Sequence, residues 1–76
     1  MELSDKIVEL IAVGASITAN CQPCLQKHGD QALRCGATPA EVAAAIEVGN
    51  RVRKGSTAKM ESYSSAFHPD AARETK

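Results

Sequence analysis

The sequence predicts an all-α fold. Apolar residues recur at three- and four-residue intervals, no segment alternates as a half-buried strand does, and the strongest turn signals all fall between helical patterns. The expected architecture is a small bundle of three to four helices over residues 1–67, completed by oligomerisation and followed by a polar tail, residues 68–76.

From Leu3 to Thr18, Leu3, Ile7, Leu10, Ile11, Gly14 and Ile17 mark one face of an amphipathic helix, with Ser4 as its N-cap. Asn20 interrupts the pattern, and Pro23 fits the first turn of a second helix, where a missing N–H costs nothing. That helix should run from about Pro23 to Cys35, with Gly36 as its stop. Thr38-Pro39-Ala40-Glu41 is a capping box with proline at the first helical position, and opens a third helix striped by Val42, Ala45, Ile46, Gly49 and Val52. Glu47 and Arg51, one turn apart, support it, and Gly55 is expected to end it. Ser56 or Thr57 then caps a fourth helix reaching Phe67, stopped by His68-Pro69. Gly14 and Gly49 read as close helix contacts, because no glycine-rich phosphate loop surrounds them.

At 76 residues the chain is one domain whose core is thin: Trp is absent, Tyr63 and Phe67 are the only aromatics, and Ala buries little area per residue. Domains this small usually need a metal, a disulfide or a partner subunit, so a homo-oligomer is expected. Nine basic and nine acidic residues cancel, which removes the electrostatic footprint of a nucleic-acid binder. Arg51, Arg53, Lys54 and Lys59 read as a solvated face. No apolar run is long enough to cross a bilayer and no basic region precedes the first apolar residues, so the expectation is a soluble cytoplasmic protein without membrane association.

The chemistry concentrates in Cys21-x-x-Cys24-x-x-x-His28, with Glu9 twelve residues before Cys21. Two thiols at this spacing can close a small disulfide, and three cysteines in a reducing compartment point to redox or metal chemistry more than to a structural staple. Cys21 should precede the second helix and Cys24 lie in its first turn, where unpaired N–H groups and the helix dipole stabilise a thiolate. His28 lies one turn after Cys24, and an imidazole can take or return a thiol proton. Glu9 can orient that imidazole only if the first two helices pack as a hairpin. Which sulfur attacks first stays open.

The string from Glu9 to His28, with Glu9, Cys21, Cys24 and His28 in register, resembles the signature of the AhpD-like alkylhydroperoxidases of the carboxymuconolactone decarboxylase family. The resemblance continues through Ala32, Gly36 and the Thr38-Pro39-Ala40-Glu41 helix start to about Lys54. It implies a small AhpD-like helical bundle, oligomers from dimers to hexamers, and a catalytic pair Cys21 and Cys24 whose protons move through His28 and Glu9. It also implies reduction of hydroperoxides or of a peroxiredoxin partner, with dihydrolipoyl groups as reductant and no bound cofactor. Pro23 stands where the alkylhydroperoxidase has a further His, and the Cys pair argues against lactone decarboxylation, whose enzymes lack it.

The main rival is a non-enzymatic zinc-binding or structural module built on Cys21, Cys24, His28 and Cys35. On a continuous helix His28 and Cys35 are about 10 Å apart along the axis, too far for one tetrahedral ion. Cys24 and Cys35 are about 16 Å apart, too far for a disulfide, so Cys35 reads as a small buried apolar residue.

Overall fold

A computed structural model describes residues 2–67, which form three helices and no strand: α1 (Asp5–Thr18), α2 (Gln22–Arg34) and α3 (Pro39–Ala66). The expected tail, 68–76, and the His68-Pro69 stop lie outside the described residues.

Each helix start follows from a cap. Ser4 accepts from the Ile7 N–H at the head of α1. At α3 the capping box is complete: Thr38 Oγ1 accepts from the Glu41 N–H at 3.0 Å, and Glu41 Oε1 accepts from the Thr38 N–H at 2.9 Å. That Thr38 N–H, followed by the Lys6 ammonium 3.3 Å away, holds the Glu41 carboxyl below its usual range. The Lys6–Glu41 pair also ties the head of α1 to the head of α3.

Both interhelical turns are Schellman closures, in which a left-handed residue lets two N–H groups reach back to carbonyls left free by the helix end. After α1 the left-handed residue is Asn20, φ 57°; Asn20 N–H donates to Ile17 O and Cys21 N–H to Ser16 O, both at 3.0 Å. Gly36, φ 99°, does the same after α2, with Gly36 N–H on Leu33 O and Ala37 N–H on Ala32 O. Asn tolerates the left-handed region better than other non-glycine residues, which is why the chain reverses at Asn20 without a glycine.

Helix α1 is central and packs against both other helices, while α2 and α3 touch little. The core consists of Val13, Ala32 and Ala37, with Leu10, Leu25, Val42, Ala45 and Ile46 packed on it, and among the described residues Val13 is the one large side chain fully buried. Ser16, also buried, satisfies its hydroxyl by donating to Ala12 O at 2.7 Å. The α1–α3 crossing depends on two glycines. A Cβ at Gly49 would stand 2.7 Å from Gly14 O and 2.8 Å from Ile17 Cβ, and one at Gly14 would stand 3.3 Å from Ala45 O.

The sequence predicts a break at Gly55 and a fourth helix capped by Ser56 or Thr57, and the structure corrects this: α3 runs unbroken through all three to Ala66. An interior glycine costs about 1 kcal/mol relative to Ala, a weak penalty against the propagation gained from Lys54, Ala58, Lys59, Met60 and Glu61. The second helix is displaced by one residue at each end from the expected Pro23–Cys35, since Cys21 caps it and Cys35 closes it.

Candidate functional site

The Asn20 reversal makes α1 and α2 an antiparallel hairpin and leaves Cys21 as the N-cap of α2, with extended backbone, φ −117° and ψ 99°. Here a sulfur takes the place of the usual capping oxygen: Cys21 Sγ accepts from the Cys24 N–H at 3.2 Å. Proline at the start of the helix needs no hydrogen-bond partner for its nitrogen, so Pro23 is tolerated between the cysteines. Cys21 and Cys24 are joined by a disulfide, and both are half-buried.

His28 lies one turn beyond Cys24 on α2. Across the hairpin, Glu9 Oε1 lies 2.7 Å from His28 Nδ1, with the carboxylate side chain 19% and the imidazole 29% exposed. With Glu9 ionised, Nδ1–H is the donor. That fixes the tautomer and leaves Nε2 as the nitrogen that can accept or return a proton. The bond length is that of a charge-assisted hydrogen bond, partly shielded from water.

All four sequence-predicted residues therefore belong to one hairpin, as two bonded pairs: Cys21 with Cys24, and Glu9 with His28. Cys35 is apart from them, a free, half-buried thiol at the far end of α2. Among the described residues no group of three or more His, Cys, Asp or Glu side chains is placed to hold a metal ion.

Beside the disulfide lies a hollow of about 110 Å³ lined by Cys21, Asn20, Ile17 and Leu25 and, from α3, by Asn50 and Arg53. Neither Asn50 nor Arg53 was recognisable as a site residue. Both are about thirty positions from the cysteines and join them only because Gly14 and Gly49 bring α3 against α1. Arg53, read from the sequence as part of a solvated face, is exposed yet forms one wall of the hollow.

A search against known families matches residues 2–66 to the family described as "Carboxymuconolactone decarboxylase family". The chain belongs to the carboxymuconolactone decarboxylase family. No curated protein and no solved structure gives a match. The family match extends from the start of α1 to the last turn of α3, so this carboxymuconolactone decarboxylase domain includes the whole site and the unbroken third helix. The family contains both decarboxylases and AhpD-type peroxidases. No helix among the described residues is long and apolar enough to cross a membrane.

Proposed function

We propose that the protein is an AhpD-like thiol–disulfide oxidoreductase that reduces hydroperoxides or a protein disulfide, cycling Cys21 and Cys24 between dithiol and disulfide. One observation carries the reading: the Cys21–Cys24 bridge opens the helix on which His28, held by Glu9, lies one turn further on. A zinc site would need both sulfurs free as thiolates, whereas Cys21 and Cys24 are bonded to each other.

In the reduced protein the Cys24 N–H and the α2 dipole favour a thiolate at Cys21, the sulfur that borders the hollow. This thiolate attacks a substrate disulfide, forming a mixed disulfide and releasing one substrate thiolate. With a hydroperoxide it attacks the terminal oxygen instead, giving a sulfenic acid and an alcohol once a proton is supplied. Cys24 then loses its proton to His28 Nε2, attacks Cys21 sulfur and expels the second substrate thiol or water, closing the Cys21–Cys24 bridge. Glu9 holds the imidazole in the accepting tautomer and stabilises it when protonated. A dithiol of the dihydrolipoyl class reopens the bridge by two successive exchanges, in a cytoplasmic setting where such reductants act.

Peptide mapping and intact mass before and after mild oxidation test the cycle. Reversible loss of two hydrogens, localised to Cys21 and Cys24, is expected, together with dihydrolipoyl-dependent consumption of hydroperoxide or protein disulfide. Cys24→Ser should abolish turnover, and His28→Ala should slow it roughly 100-fold. Full turnover by Cys24→Ser, or a rate whose dependence on pH is unchanged in His28→Ala, would sink the mechanism.

A further inference from the structure

Arg51 and Arg53 are close neighbours on α3, yet their charges are met differently. Arg51 pairs with Glu47, one turn earlier, at 3.1 Å. The positions three and four residues from Arg53 hold Gly49, Asn50, Ser56 and Thr57, so no carboxylate stands beside it on the helix surface. Among the described residues no carboxylate pairs with Arg53 from any other element either.

What Arg53 borders instead is the redox sulfur. Asn50 and Arg53, three residues apart and therefore side by side on α3, form the far wall of the hollow of about 110 Å³ that Cys21 lines. Among the described residues around that hollow, Arg53 is the one that carries a charge, and Ile17 and Leu25, both half-buried, supply its apolar part. A guanidinium presents a planar fork of N–H donors that matches a carboxylate, and the Asn50 carboxamide beside it adds further donors. On the opposite side the N-terminus of α2 favours negative charge on Cys21. The hollow thus offers two electropositive ends: α2 for the attacking thiolate and Arg53 for a second anion.

We infer that Arg53, assisted by Asn50, determines specificity at this site, and that the preferred substrates are small disulfides or hydroperoxides carrying a carboxylate a short chain away from the reacting atom. The inference rests on the redox role proposed for Cys21 and names the substrate class of that reaction. At about 110 Å³ the hollow is well below the roughly 300 Å³ of pockets that house drug-sized ligands, so it takes the end of a substrate and no more. A carboxylate is the end that needs help there. An anionic substrate is repelled by a Cys21 thiolate, and a cation on the far wall offsets the repulsion, the more so where apolar walls thin out the water. In the exchange step the Cys21 thiolate attacks one substrate sulfur, a mixed disulfide forms, and the other sulfur leaves as a thiolate.

Dithiodipropionate and its dimethyl ester share one skeleton and differ in charge, so together they read the preference directly. In the full chain carrying Cys24→Ser and Cys35→Ser, Cys21 is the sole thiol, and the mixed disulfide it forms with either probe is followed by intact mass after acid quench. The ratio of the acid rate to the ester rate cancels the thiolate fraction of Cys21. Arg53→Gln should lower that ratio roughly tenfold, and Arg53→Lys by less, because the charge stays while the fork is lost. Lys59→Gln removes a charge from α3 away from the hollow and should leave the ratio within about twofold. If the serine background fails to fold, turnover of the chain with all its cysteines gives the second reading: Arg53→Gln should raise KM for the acid, leave kcat in place and leave the ester unaffected. A ratio unmoved by Arg53→Gln, or lowered as much by Lys59→Gln, would overturn the inference. A chain in which Cys21 and Cys24 never cycle would sink the redox reading and this inference with it, whereas a working cycle with an unmoved ratio would sink the carboxylate preference alone.

Discussion

Glu9 and His28 are nineteen positions apart and 2.7 Å apart in space, and the meaning of that contact lies in its direction. A carboxylate bonded to Nδ1 acts on a thiol only through the ring, so Glu9 is a positioning residue whose effect should vanish when the ring is absent. Glu9→Gln keeps the shape and removes the charge; it should lower kcat/KM roughly tenfold, against roughly 100-fold for His28→Ala. The double variant should be no slower than His28→Ala alone, because two residues acting as one unit are not additive. Rates that multiply would show that Glu9 acts by a separate route. Helical spacing was enough to couple His28 to Cys24, whereas Glu9, which alone reads as a solvated helix position, was nominated chiefly by its place in the family signature. Asn50 and Arg53 were out of reach, because nothing local to them signals proximity to Cys21. Their position depends on a glycine–glycine crossing elsewhere on α3.

Two glycines on α3 behave in opposite ways, and the element is understood through that contrast. Gly49 is buried at the crossing, where an added methyl meets Gly14 O and Ile17 Cβ inside 3 Å; Gly55 has nothing within 4 Å of the same added atom. Gly49→Ala should therefore lose about 1–2 kcal/mol, since overpacking against a backbone oxygen, about 2–3 kcal/mol, outweighs the roughly 1 kcal/mol gained in helix propensity. Gly55→Ala meets no obstacle and should gain about 0.5–1 kcal/mol. Urea unfolding of the two variants checks both signs, and a Gly49→Ala protein as stable as wild type would mean that the helices separate freely. The same contrast explains how far the elements were legible. Caps and left-handed turn residues are local, so the starts of α1 and α3 and the stops at Asn20 and Gly36 are readable from side-chain chemistry. A glycine's role is not read from the glycine itself: Gly36 adopts φ 99° and ends a helix just ahead of the Thr38-Pro39 helix start, whereas Gly55, with no proline or complete capping box directly after it, continues one.

At the scale of the whole molecule the difficulty is burial. With Val13 as the one large fully buried side chain among the described residues, and a helix whose last seventeen residues face water, the chain has little to set against the entropy of ordering its backbone. Isolated helices of that length are marginal in water, so the projecting half of α3 needs a surface to lie on. The thin core was already visible in the composition, which calls for association; the exposed apolar face of α3 was not, because Met60, Tyr63 and Phe67 continue the face of Ala45 and Val52 only when α3 passes unbroken through Gly55. If folding and pairing are coupled, the stability of the chain is inseparable from its concentration. Two 76-residue chains unfolding together release roughly 0.3 kcal/mol/K at the usual per-residue entropy. A tenfold rise in concentration contributes about 1.4 kcal/mol to the paired state, so the thermal midpoint should climb by roughly 4–5 °C per decade. If exposed Tyr63 is part of the pairing surface, Tyr63→Glu should unfold at a lower temperature that does not move with concentration, because a charge there opposes pairing and leaves the α1–α2 hairpin intact. Calorimetry over two decades of concentration reads both slopes. A flat wild-type midpoint would mean that the three helices hold together alone, and that the apolar face of α3 contributes nothing to the stability of the fold.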